Sequence, residues 1–391
     1  VKRVLYTLVL ALAVVGCGGG SHPQVKMVEK GLPPANPMAV QRMVEGVTAA
    51  KDPSTKSQTR AIALLREAIQ IDPNLWEARF DLGIVLANSG DLANAKEQLE
   101  AAAKIAPERE EVAVALGEVR RRRGSNKDAA SGLEDFVKDH PGAIDARTLL
   151  VAALRDSGQH EKAIQQARDV LARKPGDATA LAELAQCHLA KGERETAQLL
   201  VKQALDVNGK SAIAHRVQGL IHLAAGDDSL AFQAFSKAAQ EDPKDTTSRL
   251  NMGVVLLRAG AYSKAAEQYR SALAVSPDDT AAQLGMAAAL RGESEGKNQK
   301  QIDEARALLE KVLEKDPHNV AANFNLGVLY SDSLKKPGDA RPYFERFLDD
   351  APRDHPGRPE AERQLGGTKA AEPPAKPPAA PPKPAAPGGK T

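Results

Sequence analysis

From residue 73 to residue 277 the chain is punctuated at a fixed interval. Pro73, Pro107, Pro141, Pro175, Gly209, Pro243 and Pro277 follow one another every 34 residues. Few features restrict a fold more, because such a period means that one small unit is copied and buries its apolar face on its neighbours. Side-chain size repeats with it. Twelve residues before each stop stands an alanine (Ala61, Ala95, Ala129, Ala163, Ala197, Ala231, Ala265). Eight before it stands Leu65, Leu99, Leu133, Ala167, Val201, Phe235 or Tyr269. Twenty-four before it stands Ala49, Gly83, Gly117, Val151, Ala185, Gly219 or Gly253.

Each copy holds two apolar stripes at helical spacing, such as Leu250, Val254, Leu257 and then Ala265, Tyr269, Ala272. The phrases at 88–91, 156–159 and 258–261 carry glycines suited to a left-handed helix end. Each proline lacks an N–H and so closes the second helix or opens the next. A glycine inside a helix costs about 1 kcal/mol relative to alanine. Its return at Gly83, Gly117, Gly219 and Gly253 predicts close helix approach, with small and large residues alternating so that two helices interlock.

This pattern resembles the tetratricopeptide repeat. The segment 76–107 carries that family's Leu82–Gly83 pair together with Ala95, Ala102 and Pro107. The resemblance covers residues 42–352 and implies an all-α chain, an α-solenoid of about nine tandem helix–turn–helix units forming a right-handed superhelix. Three places depart from the pattern. Asp52–Pro53 stands where the first unit should turn, and insertions at 291–300 and 333–339 read as longer loops. The organisation expected is a superhelix over 38–352, a polar cap over 353–365 and a proline- and alanine-rich tail over 366–391, either a spacer or a docking peptide.

The first residues form a charged start (Lys2, Arg3), an apolar run from Val4 to Val15, and Val14-Val15-Gly16-Cys17. The run is too short for a conventional membrane span and has the layout of a secretory signal. The last four residues resemble the bacterial lipobox. That resemblance implies a signal peptide over 1–16, a Cys17 carrying diacylglycerol and an amide-linked acyl chain such as palmitate, and a linker over 17–37. Two or more acyl chains hold a protein stably at a membrane. Gly18, in place of an aspartate, favours an outer-membrane anchor facing the periplasm.

Little in the sequence points to chemistry. Gly292-Glu293-Ser294-Glu295-Gly296 matches G-x-S-x-G, but that serine works only where a strand feeds a sharp turn. His188, His215 and His222 lack the spacing of a metal site and read as polar-tipped core residues, and Cys187 as a buried, unpaired thiol. No catalytic residue, cofactor or metal is expected. A net charge of +2, from 53 basic and 51 acidic residues, argues against general nucleic-acid binding.

Two surfaces remain. Arg120, Arg121, Arg122 and Arg123 close a first helix, either as a solvated end or as a contact for lipid phosphates or an acidic partner. In the tetratricopeptide family ligands lie along the first helices. On this chain that implies Phe80, Ile84, Leu220, Leu223, Leu250, Val254, Leu257, Leu284, Phe324 and Val328, which either line a binding groove or pack on neighbouring first helices. The chain also resembles tetratricopeptide lipoproteins of trans-envelope machines, the pilotins of type IV pilus secretins and the gliding-motility lipoproteins of myxobacteria. The partner implied is an envelope protein: a secretin, an outer-membrane porin-like protein or a motility component. A regulatory or substrate-presenting subunit of an envelope enzyme acting on peptidoglycan or polysaccharide is the alternative.

Overall fold

Alanine-rich apolar stripes broken by proline and glycine should give short helices joined by tight turns. The computed structural model describes residues 34–367, and among these it holds 19 α-helices and no strand. The helices are α1 (Pro37–Ala50), α2 (Thr55–Ile71), α3 (Trp76–Asn88), α4 (Leu92–Ile105), α5 (Glu110–Arg122) and α6 (Asn126–Asp139). Then come α7 (Ile144–Asp156), α8 (His160–Arg173), α9 (Ala178–Ala190), α10 (Arg194–Val207), α11 (Ala212–Ala224) and α12 (Asp228–Glu241). The series ends with α13 (Thr246–Arg258), α14 (Tyr262–Val275), α15 (Thr280–Ser294), α16 (Gln299–Lys315), α17 (Val320–Val328), α18 (Pro337–Asp350) and α19 (Arg358–Gly367). The chain divides into two compact units, one ending at Ala282 and the other starting at Gln283. In the first, each second helix packs on its own first helix, and those from α2 to α12 pack also on the first helix of the next hairpin. This is an α-solenoid of helical hairpins.

The interlock rests on one recurring contact. A Cβ added at Gly83 would lie 2.6 Å from Leu99, at Gly117 2.9 Å from Leu133, at Gly219 2.5 Å from Phe235 and at Gly253 2.5 Å from Tyr269. No side chain fits there, so the glycine's cost in helix propensity is offset by the ring or leucine packed on its backbone. Two hairpins solve the problem differently, placing Val151 with Ala167 and Ala185 with Val201, all buried. Large meets small in either order.

The first hairpin shifts this register. The sequence pattern puts Ala49 at the packing position, whereas the structure places Gly46 there, 2.9 Å from Leu65. The cause is the stretch at 51–54. Ser54 caps α2 by accepting from the Ser57 N–H, and Asp52 accepts from the hydroxyls of Ser54 and Ser57. These extra residues move α1 back along the chain by most of a turn.

Turn chemistry repeats as well. Gly90, Gly124, Gly158, Gly192, Gly226 and Gly260 all have positive φ, between 69° and 89°. An added Cβ would touch nothing within 4 Å at any of them, so the backbone conformation alone calls for glycine. At Gly158 the Gln159 N–H donates back to the Leu154 carbonyl (2.8 Å), satisfying an acceptor that the helix end leaves open.

Neither insertion in the second unit makes a long loop. The first lengthens helices: α15 has 15 residues and α16 has 17, against 13 and 14 in α13 and α14. The second is taken up by a π-helical turn, Leu329–Ser333, where the Leu334 N–H donates to the Leu329 carbonyl (3.0 Å). In both places, continuing the hydrogen-bond ladder satisfies backbone groups that a loop would leave to water.

One device escapes the size pattern. The side chain six residues past a stop reaches back to the stop residue's carbonyl: Arg79 to Pro73 (3.1 Å), Arg147 to Pro141 (3.3 Å), His215 to Gly209 (3.0 Å) and Arg249 to Pro243 (3.2 Å). In the second unit Asn323 donates to Pro317 in the same way (3.0 Å). Arginine, histidine and asparagine share only a donor of sufficient reach, which hides the motif from residue-type comparison.

Candidate functional site

The structure sorts the first-helix residues expected to form a groove. Phe80 is 3% exposed and packs in the core, its ring 6.3 Å from that of Trp76. In the second unit Val328 is 6% exposed, in a cluster with Phe344 and Phe347. These two belong to the packing and not to an open face: Phe80 lies in a core with Trp76, Leu82 and Leu99, and Val328 among Phe344 and Phe347. Ile84 is half-buried on α3, and Leu284 and Phe324 are half-buried in the second unit, with the Phe324 ring 4.9 Å from Phe347.

The other five lie together by helix. Leu220 and Leu223 on α11 are half-buried, as are Leu250 and Leu257 on α13, and Val254 between the latter two is 41% exposed. Leu220 and Leu223 rest on a small cluster that includes Phe235, Met252 and Val255. Direct packing of successive first helices is closest at α5–α7, holds through α7–α9 and α9–α11, and thins at α11–α13. Where it thins, leucine and valine stay partly in contact with water.

Between α5 and α9 the same face is filled by charge. Arg121 donates to Asp156 (2.7 Å) and to Glu118 (2.7 Å). Arg155 donates to Asp156 (2.7 Å), to Gln186 (2.9 Å) and to Glu183, which is buried. Burial pushes the Asp156 carboxyl up, but the guanidiniums of Arg155 and Arg121 outweigh it and hold its pKa below the ordinary value. Three first helices are thus stitched by one network. Of the four-arginine run, Arg121 belongs to it and Arg120 pairs with Glu100 (3.0 Å). Arg122 and Arg123 are exposed.

No nucleophile emerges among the groups considered. Ser294 ends α15, its hydroxyl donating to the Arg291 carbonyl (2.9 Å) and accepting from the Gly296 N–H (3.3 Å). That is a helix-end turn, not a strand-fed elbow. His188 Nδ1 lies 2.5 Å from Glu193, across the turn that follows α9. His215 makes the backbone contact described above, and His222 is half-buried on α11. Cys187 is buried, and burial pushes its thiol up to about 12, far from a reactive thiolate. Among the described residues no group of three or more histidine, cysteine or carboxylate side chains is placed to hold a metal ion. No helix among them is long and apolar enough to cross a membrane. Cys17, the residues before 34 expected to form a signal peptide and linker, and the expected tail beyond residue 367 lie outside the described residues.

A tetratricopeptide-repeat family model matches residues 59–119, 154–221, 222–290 and 298–363, and a second matches 114–178. The chain belongs to the tetratricopeptide repeat family. Among solved structures, the tetratricopeptide chain is similar to one in the APC/C hetero-tetramer Cut9–Hcn1. That match has a TM-score of 0.56 and 14% identity over 84% of this chain and 67% of that one. PilF of Pseudomonas aeruginosa matches with a TM-score of 0.48 and 21% identity, over 57% of this chain and 97% of that one. YrrB, described as a tetratricopeptide protein with an unusual peptide-binding site, matches at 0.41 and 22%, over 50% and 97%. At these identities the likeness concerns the fold. No curated protein sequence matches the chain. Tetratricopeptide chains generally serve as scaffolds that bind peptides or proteins, and this chain is a tetratricopeptide scaffold.

Proposed function

We propose that the chain is a lipid-tethered adaptor at the outer membrane, facing the periplasm, whose α11–α13 face holds an exposed apolar segment of another envelope protein. The observation that carries this reading is Val254, 41% exposed among half-buried Leu220, Leu223, Leu250 and Leu257, where first-helix packing thins. An apolar strip on a rigid scaffold suits an amphipathic helix or an extended apolar segment. The lipobox-like Val14-Val15-Gly16-Cys17 supports the tether. Held near one membrane, such a face meets its partner at raised effective concentration. The work proposed is assembly or stabilisation of a trans-envelope machine of the type IV pilus–secretin or gliding-motility class.

Two experiments test it. A photo-crosslinking residue at 254 in intact cells is expected to capture one envelope protein, and Val254→Asp with Leu257→Asp to abolish capture while the helical melt stays in place. A large melting drop in that variant would mean that the strip is packing. Cys17→Ala is expected to move the protein from the membrane fraction to the soluble fraction. Tight membrane association in that variant would overturn the tether.

A further inference from the structure

One position of the first helix carries a carboxylate twice in the first unit. Glu183 on α9 is met by Arg155 from the end of α7, one hairpin earlier. Asp81 on α3 occupies the same repeat position three periods before Glu183. Arg155 lies four residues after the packing residue Val151. Four residues after the packing glycine Gly46 of α1 stands Ala50, which offers no cation. The other first helices of this unit carry Ala115, Leu149, Val217 and Asn251 at the position, none of them charged.

Asp81 is 8% exposed, yet it makes no hydrogen bond or ion pair, and its carboxylate oxygens are not sealed from solvent. Its surroundings add to the charge. Burial first, then Glu77 one helical turn earlier, pushes the Asp81 carboxyl up to about 7. Burial, and after it the carboxylates of Asp72 and of Glu111 on α5, push Glu77 up as well. A buried carboxylate without a counter-charge is unfavourable, and like charges four apart on a helix add to the cost. A chain that supplies the counter-ion internally at Glu183 and omits it at Asp81 leaves that place open for a cation from outside. The surroundings suit an organic one. α3 meets α5 only lightly, and no metal-holding group forms among the described residues.

We propose that Asp81, flanked by Glu77 and Glu111, is a seat for a cationic side chain, arginine or lysine, presented by a partner protein. The seat is separate from the α11–α13 face and stands or falls independently of it.

The chain's single tryptophan reports on the site, because Trp76 adjoins Glu77 on α3. The probe is N-acetyl-arginine methylamide, titrated into the full-length protein at pH 8 and constant ionic strength, with the citrulline analogue as its uncharged counterpart. The expected result is a saturable change in Trp76 fluorescence with arginine, with affinity at least about tenfold weaker for citrulline and for Asp81→Asn. Asp81→Asn is expected to melt no lower than the parent at that pH. A carboxyl with a raised folded pKa gives its stabilisation below the ordinary aspartate value and loses it as pH rises through about 7, so removing the charge relieves the ionised fold. Equal responses to arginine and citrulline, an unchanged response in Asp81→Asn, or no saturation would overturn the proposal. Saturation by magnesium chloride at lower concentration would also overturn it, in favour of a metal site. If Asp81→Asn melts lower, Asp81→Ser is titrated in its place and read against the same outcomes.

Discussion

Tyr269→Ala is expected to lower the unfolding free energy by about 3–5 kcal/mol, because it empties a buried aromatic site. The ring is 2% exposed and lies against the backbone of Gly253. Gly253→Ala is expected to lose about 1–3 kcal/mol by overpacking. That loss comes in spite of alanine's advantage in a helix, roughly 1 kcal/mol. The informative variant combines Gly253→Ala with Tyr269→Val, which rebuilds the Ala185–Val201 pair that the chain already uses. Its loss should fall short of the summed single losses by at least about 1 kcal/mol, as expected for side chains in contact. Urea unfolding of the parent, Gly253→Ala, Tyr269→Val and the double variant measures this. Strict additivity would mean that the ring does not dictate the glycine.

Arg155→Ala should be as damaging for a different reason. Removing one partner of a buried ion pair leaves the other charged and unpaired, at a cost of about 3–5 kcal/mol. Here the orphan is Glu183, whose carboxylate is met by Arg155 from the neighbouring hairpin. Arg155→Met with Glu183→Leu is expected to come back to within about 1 kcal/mol of the parent, since apolar residues of similar volume often replace such a pair without loss. The single variant should also tolerate acid less well. The lowered Asp156 pKa gives stability that is present above the ordinary aspartate value and fades as pH drops through the folded value. Without Arg155 that folded value moves up, and the fading starts at a higher pH.

What could be read in advance was whatever repeats in one residue type. The 34-residue stops, the turn glycines and the glycines that admit Leu99, Phe235 or Tyr269 are all governed by backbone shape or bare volume, so they survive as letters. Contacts made by reach do not. Arg79, His215 and Arg249 do the same work with different side chains, and Arg121 and Arg155 meet partners 35 and 28 residues away on other hairpins. The misplaced Ala49 has a similar origin, since counting back from Pro73 assumes a standard turn and the capped stretch at 51–54 lengthens it. The residues expected to line a groove were legible only as apolar letters on first helices. Which part of it stays open depends on how closely successive first helices pack, and Phe80 and Val328 show that an apolar letter alone cannot say.

Each glycine and the ring or leucine that rests on it sit inside one hairpin, from Gly83 with Leu99 to Gly253 with Tyr269. A gene segment that duplicates a whole period therefore carries both halves of the fit together, and the copy is free to drift to valine over alanine or alanine under valine. Recombination that cuts between the two helices would join mismatched halves, a cavity in one product and a clash in the other. Lineages lengthening this array should gain or lose it in complete periods, with breakpoints gathered near the prolines.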